Sequence, residues 1–351
     1  MNAFASLPQP FAHPDVVAAD LSPRQVLRAA AAGSVTVVGS RLYADRSLWE
    51  AAPAWKQHRL LTEAAVRLTK DAIVSHASDA ALLGLPHPTH PPARVSMTLM
   101  DDSRTLRADS WRRFLRGAIP YEHVEIRDGS PRLVRARTVI DCARQLHPRD
   151  ALAIADGALR AGMVTHTSLL EMRRFQRGWP GVTQSNDILM LADGRRENWL
   201  ESASAWSAHR WGLPIAIPQV NIVDPDGCLV GRCDALWPDE GVVGEADGVE
   251  KYLIDGATSE AVKRRLDDEQ VREEGFVGLG LGVVRWTPRQ AMDGAEVHGR
   301  FRAAARADGL AGVRAEFACS CCDRPLSECA VEEDLRQWRR LLTAEFAPKV
   351  W

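Results

Sequence analysis

Lysine is almost missing from this sequence. Only five of its 44 basic residues are lysines. With alanine abundant, that is the mark of GC-rich coding, so arginine content alone carries no message about nucleic acid. No apolar run approaches the roughly 18 residues that a membrane-crossing helix needs. The start, MNAFASLPQPFAHP, lacks the basic end and apolar core of a signal peptide. A cytoplasmic chain with no membrane partner is expected. Cysteines number seven, an odd count that speaks against a disulfide framework. There is no G-x-S-x-G elbow to support a catalytic reading of His76. The net charge of −2 predicts no polyanion partner by itself.

The sum conceals an asymmetry. Residues 1–180 carry 24 Lys and Arg against 17 Asp and Glu, and residues 181–351 carry 20 against 29. The front is basic and the back acidic, so position must make any case for DNA. At 351 residues and 46% hydrophobic content the chain can build two or three cored domains. The pattern reads as α/β and multi-domain.

In the front segment, Ser22 suits an N-cap, Pro23 the first helical position and Gly33 a C-terminal breaker, which predicts a helix over PRQVLRAAAA. SVTVV and RLYA then flank Gly39-Ser40, a two-residue hairpin signal. Helix followed by hairpin is the order of a winged helix-turn-helix. Arg24 and Arg28 share a helix face beside Gln25, and Arg41 sits in the hairpin; together they are the candidate DNA contacts. From 53 to 190 the sequence predicts a scaffold: helices over AWKQHRLLTEAAVRL, HASDAALLGLP, RTVIDCARQL and DALAIADGALRAGMV, with strands at AIVS, ARVSMTLM and YEHVEIRD. His76, Thr138, Asp141 and Arg144 are assigned to that scaffold.

Residues 197–252 carry the chemistry. A helix bearing Glu201 precedes three apolar runs, IPQVNIV, CLVGRCDALW and GVVGEAD, separated by Asp-Pro-Asp-Gly and Pro-Asp-Glu-Gly turns. Asp234 lies on the second strand, and Glu245 and Asp247 share a face of the third. Cross-strand neighbours bring carboxylates together if the register permits. Hard oxygens so gathered suit Mg²⁺, which holds phosphate oxygens and activates water. The next helix carries Lys263, a candidate amine, and VVRWT is a buried strand with Trp286 in the core. Arg195 and Arg196, just ahead of the Glu201 helix, could meet phosphate or be plain solvated charges.

The tail clusters Cys319, Cys321, Cys322 and Cys329. Their spacing departs from paired C-x-x-C knuckles, which favours free or redox-active thiols over Zn²⁺. A last helix, VEEDLRQWRRLLTAEF, places acids first and arginines later, as the helix dipole prefers.

Two resemblances follow from these phrases. LSPRQVLRAAAAGSVTVVGSRLYA, IVSHASDAALLGLP and RTVIDCAR resemble AbiEi-type antitoxins of the actinobacterial kind. That implies a winged domain repressing its own operon and a nucleotidyltransferase toxin as partner. The order helix Glu, hairpin Asp in GRCDALWP, strand Glu in VVGEADG, KRR helix and VVRWT strand resembles the restriction-endonuclease-like PD-(D/E)XK domain, in the very-short-patch-repair branch. It implies Glu201, Asp234 and Glu245 as Mg²⁺ ligands for hydrolysis of DNA phosphodiesters. The family's Lys, two residues after the last Glu, is here Asp247, leaving Lys251 or Lys263 to supply the amine. The expected layout is a winged helix at 1–52, an AbiEi-like scaffold at 53–190, an endonuclease-like domain at 191–300 and a helical tail at 301–351. The alternative is an AbiEi-like antitoxin or repressor whose nuclease fold is inactive and serves binding.

Overall fold

A computed structural model describes residues 3–101, 106–247, 259–305 and 309–347, excepting the side chains of 259–266. The chain is mixed α/β and divides into two compact units. One is Met1–Leu146 with Glu171–Arg177, the other His147–Leu170 with Gly178–Trp351. Among the described residues no helix is long and apolar enough to cross a membrane.

The first unit begins with β1 (Phe11–Ala12), α1 (His13–Ala18), α2 (Pro23–Ala31), β2 (Val35–Gly39) and β3 (Leu42–Asp45), the strands in the order β1-β3-β2. Val26, Val35, Phe11 and Val16 are buried together beneath the helices. The α2 start is built as its sequence dictates: Ser22 accepts from the Gln25 N–H while the Gln25 side chain accepts from the Ser22 N–H. The hairpin turn falls on Ser40–Arg41, with Gly39 paired to Leu42, one residue later than the Gly39-Ser40 expectation. Gly39 has a packing role instead, because an added Cβ would lie 2.5 Å from the Trp111 ring. Arg41 takes the left-handed conformation the turn requires, at φ 56°.

Then come α3 (Arg46–Ala51), α4 (Ala54–Leu68), β4 (Ala72–Val74), α5 (His76–Leu82), β5 (Val95–Leu99), β6 (Arg112–Leu115), β7 (Val124–Arg127), β8 (Ser130–Leu133) and α6 (Arg135–Gln145). The sheet β4-β5-β6 pairs antiparallel then parallel, and β7 and β8 form a hairpin. Between α5 and α6 lies a buried charged network. Asp79 accepts from Arg132 (2.7 Å) and Thr138 (2.5 Å), and Asp141 from Arg137 and Arg144 (both 2.9 Å) and Gln176 (3.0 Å). Burial opposes ionisation of Asp141, yet His76, Arg137 and Arg144 outweigh it and hold its carboxyl below the usual range. His76 is buried, at φ 56°, with Nδ1 against the Ser75 hydroxyl. Burial lowers both His76 and His58 to about 4. Scaffold is the role these residues occupy.

The second unit runs α7 (Pro148–Arg160), α8 (His166–Phe175, its latter half counted with the first unit), α9 (Gln184–Leu191), α10 (Trp199–Arg210), β9 (Ile217–Val223), β10 (Leu229–Trp237), β11 (Val242–Ala246), α11 (Ser259–Gly278), β12 (Gly282–Trp286), α12 (Pro288–Asp293), α13 (Ala295–Ala304), β13 (Glu316–Cys319) and α14 (Ala330–Phe346). Its five strands lie in the order β12-β11-β10-β9-β13, all antiparallel neighbours except the parallel β11–β12 pair. The tail is therefore part of this sheet rather than a separate helical piece.

Each face of the sheet has its own core. On one, Leu200 of α10 packs with Trp237, Val242, Ala246, Val284, Trp286 and Phe301. On the other, Phe276 of α11 packs with Val220, Ile222, Cys233 and Val243. Gly244 lets two indoles close over β11, since a Cβ there would stand 2.5 Å from Trp286 and 2.9 Å from Trp237. Gly231 does the same for α11, whose Arg272 methylenes lie 2.6 Å from the position of its missing Cβ.

Candidate carboxylate site

Glu201 is the third residue of α10, and its backbone N–H is capped by the Asn198 side chain (3.1 Å). Its carboxylate turns back over the helix start, accepting from the Glu197 N–H (2.9 Å) and the Asn198 amide, and from Gln219 Nε2 on β9 (3.0 Å). The same Gln219 nitrogen reaches Asp234 Oδ1 on β10 at 3.2 Å. Two carboxylates thus share one amide. Asp234 Oδ2 also accepts from the Ala246 N–H (2.8 Å), so it ties β10 to β11.

The register explains the grouping. Val220 pairs with Cys233 and Pro218 with Ala235, which sets Gln219 opposite Asp234. Ala235 pairs with Gly244 at the end of the β10–β11 ladder, and just beyond it Asp234 meets the Ala246 N–H. Gln219 is buried and in the left-handed region at φ 55°, a conformation uncommon outside glycine that strands do not use unless something holds it. What it gains is an amide aimed at both acids.

The electrostatics follow from burial. Desolvation, then the nearby Asp234, push Glu201 up to about 7. Its hydrogen-bond partners are all neutral amides, and these only partly offset the rise. A carboxyl at this value exchanges its proton near neutrality. An apolar pocket lined by Leu213, Pro214, Ala235, Trp237 and Trp286 opens beside Glu201 and Asp234.

Glu245 and Asp247 answer to the opposite face. Alternation along β11 sends Val242, Gly244 and Ala246 toward α10, and Val243 and Glu245 toward α11. There Arg272 of α11 donates to Glu245 at 2.7 Å. Arg285 of β12 grips Asp247 with two bonds, 2.9 and 2.6 Å, and also donates to Glu269 (2.9 Å) and Glu273 (3.3 Å). Asp247 is consequently the ion-pair partner of Arg285 on β12 and not a carboxylate directed at the Glu201 group. Among the described residues, Glu201, Asp234 and Glu245 are not a set whose oxygens all come within reach of one ion, whereas the four tail cysteines are such a set. Lys251 lies outside the described residues, as does the side chain of Lys263, whose backbone is in the first turns of α11.

Among the other candidates, Arg24, Gln25 and Arg28 are exposed on α2 and Arg41 is exposed in its turn. Gln25 is engaged in the helix cap, accepting from the Ser22 N–H. Arg195 and Arg196 are not solvated charges. Arg196 is buried against Asp156 (2.9 Å), and Arg195 bridges Asp193 (2.7 Å) and Glu332 of α14 (2.8 Å). Sequence reasoning missed Gln219, Arg272 and Arg285. A polar residue buried within an apolar run, as Gln219 is within IPQVNIV, was the one available signal.

No family model matches the chain. Two relatives from Mycobacterium tuberculosis, Uncharacterized protein MT2308 (strain CDC 1551 / Oshkosh) and Uncharacterized protein Rv2248 (strain ATCC 25618 / H37Rv), are each 33% identical over 115 residues, 33% of this chain and 42% of theirs. The match spans less than half the length of those relatives.

Proposed function

We propose that the protein binds DNA through its first unit and hydrolyses phosphodiesters at the Glu201–Asp234 group of the second. The reading follows the PD-(D/E)XK, very-short-patch-repair-like order of elements, α10, β9, β10, β11, α11, β12. One observation carries it: two carboxylates from different elements share the Gln219 amide, and one of them is pushed to about 7. Mg²⁺ held by these oxygens would position a phosphate oxygen and acidify a bound water. Glu201 would give up its proton as the cation enters and Gln219 would release one acid to it, while Glu245, turned to the α11 face with Arg272, stays outside the group.

On the binding side, α1, α2 and the β2–β3 hairpin support a winged helix-turn-helix. Arg24 and Arg28 on α2 and Arg41 at the hairpin tip would contact phosphate. The test of hydrolysis is nicking of single-stranded, duplex and mismatched DNA with Mg²⁺ or Mn²⁺. Asp234→Ala should abolish it while the chain stays folded. Wild type that cuts none of these substrates overturns the hydrolytic half.

A second reading has its own support, in Arg272 on Glu245 and Arg285 on Asp247. In it the nuclease-like unit is inactive and serves binding, and the protein is an AbiEi-like antitoxin or repressor whose partner is a nucleotidyltransferase toxin. Operator affinity should then fall steeply with salt and weaken when Arg24 and Arg28 are both replaced by Ala. Unchanged affinity of that double variant overturns it.

A further inference from the structure

At the far edge of the second unit's sheet, four sulfurs meet. Cys319 ends β13, Cys321 and Cys322 occupy the turn that follows, and Cys329 stands immediately ahead of α14. All four Sγ atoms lie within 4.8 Å of one another. A tetrahedral zinc ion with Zn–S bonds of about 2.3 Å sets its sulfurs about 3.8 Å apart. A disulfide would explain two neighbours, not a convergence of four.

We propose that Cys319, Cys321, Cys322 and Cys329 bind one structural zinc ion that fastens the edge of the sheet to the start of α14. Four thiols within 11 residues could bind zinc, but the spacing C-x-C-C-x6-C counts against it, because paired C-x-x-C knuckles are the usual pattern. The turn supplies what the pattern lacks. Asp323 takes the left-handed conformation at φ 55°, its N–H returns to the Cys319 carbonyl (2.8 Å), and the Cys319 N–H bonds the Arg324 carbonyl (2.8 Å). This reversal folds Cys321 and Cys322 back over Cys319, and the Cys321 N–H points at Cys319 Sγ (3.4 Å), as suits a thiolate. Cys319 and Cys329 are buried while Cys321 and Cys322 are exposed, so the ion would enter from solvent onto a half-formed floor. Four protein thiolates leave no open position, which makes the site structural rather than catalytic.

Its place in the fold gives it a consequence. Cys319 pairs with Val220, the residue after Gln219. Asn221 on the same strand donates to Asp323 at the tip of the turn (3.3 Å). Zinc here would hold β9 where its backbone departs from strand geometry.

The experiment uses the full chain, purified under reducing conditions without chelator and analysed for metal. Near-stoichiometric zinc that survives gel filtration and is released in step with mercurial titration of thiols is expected. Replacement by Co²⁺ should give the ligand-field and thiolate charge-transfer bands of a tetrahedral tetrathiolate. Cys321→Ser and Cys322→Ser change exposed positions and leave packing intact, so they should each lower retained zinc in a chain whose circular dichroism is unchanged. Cys228→Ser, an exposed thiol elsewhere, should retain it. The proposal is overturned if reduced wild type takes up neither zinc nor cobalt, if Cys228→Ser loses metal as the others do, or if mass spectrometry of thiol-blocked protein finds these cysteines joined as disulfides.

Discussion

Two buried groups of acids in this molecule are treated in opposite ways. In the first unit, Asp79 and Asp141 are enclosed by Arg132, Arg137 and Arg144, each carboxylate oxygen meeting a charged or hydroxyl donor. In the second, Glu201 is also buried yet is offered only amides, with another acid close by. Unequal compensation of buried charge separates a strut from a site. A compensated charge holds elements together, and an undercompensated one waits for a proton or a cation.

The contrast can be broken first at Asp79. Replacing it with Ala strands buried guanidinium groups and should cost about 3–5 kcal/mol by denaturant unfolding. Asp234→Ala should cost far less, and equal losses would erase the distinction. Acid should act on the same unit. His58 and His76 titrate near 4 in the fold against 6.5 when exposed, so below 6.5 the unfolded chain binds more protons. Stability is complete above that value and lost as pH falls toward 4, by up to about 3 kcal/mol per histidine. A midpoint that stays flat from pH 7 to 4.5 contradicts their burial as neutral rings.

A smaller effect is expected from Gly244→Ala, which drives a methyl into Trp286 and Trp237 and should cost about 1–3 kcal/mol, with a change in indole fluorescence. Smallest in stability but sharpest in meaning is Glu201→Gln. Because the folded value of Glu201 is raised to about 7 from 4.5, wild type loses stability as pH rises between them. The amide variant should escape this loss of up to about 3 kcal/mol, but one carboxylate oxygen becomes an NH2 facing amide donors at a cost of about 2 kcal/mol, leaving a net gain of about 1 kcal/mol at pH 8. Calorimetric Mn²⁺ affinity of wild type should climb through pH 7, and the variant should show neither that slope nor the affinity.

Much of the fold was legible. AWKQHRLLTEAAVRL spans α4 to the residue, and the Ser22-Pro23 start and the runs at β4, β5, β9, β10 and β11 were read from caps and periodicity, which act locally. The site was legible only in part. Asn198 stands three residues ahead of Glu201, a spacing that announces a capped helix start as readily as a ligand. Gln219 could not be read because its kink depends on partners from α10 and β10. Arg272 and Arg285 reach their acids across a helix and a parallel strand, and no spacing within one segment encodes such pairing. The join of β13 to β9 was hidden for the same reason.

The carboxylate of Glu201 does two jobs with the same oxygens, closing the first turn of α10 and facing Asp234. Any occupant that takes those oxygens must loosen the Glu197 and Asn198 amides or share with them. Binding and fraying of one helix end are then a single equilibrium, readable as faster deuterium uptake at Glu197 when the cation arrives.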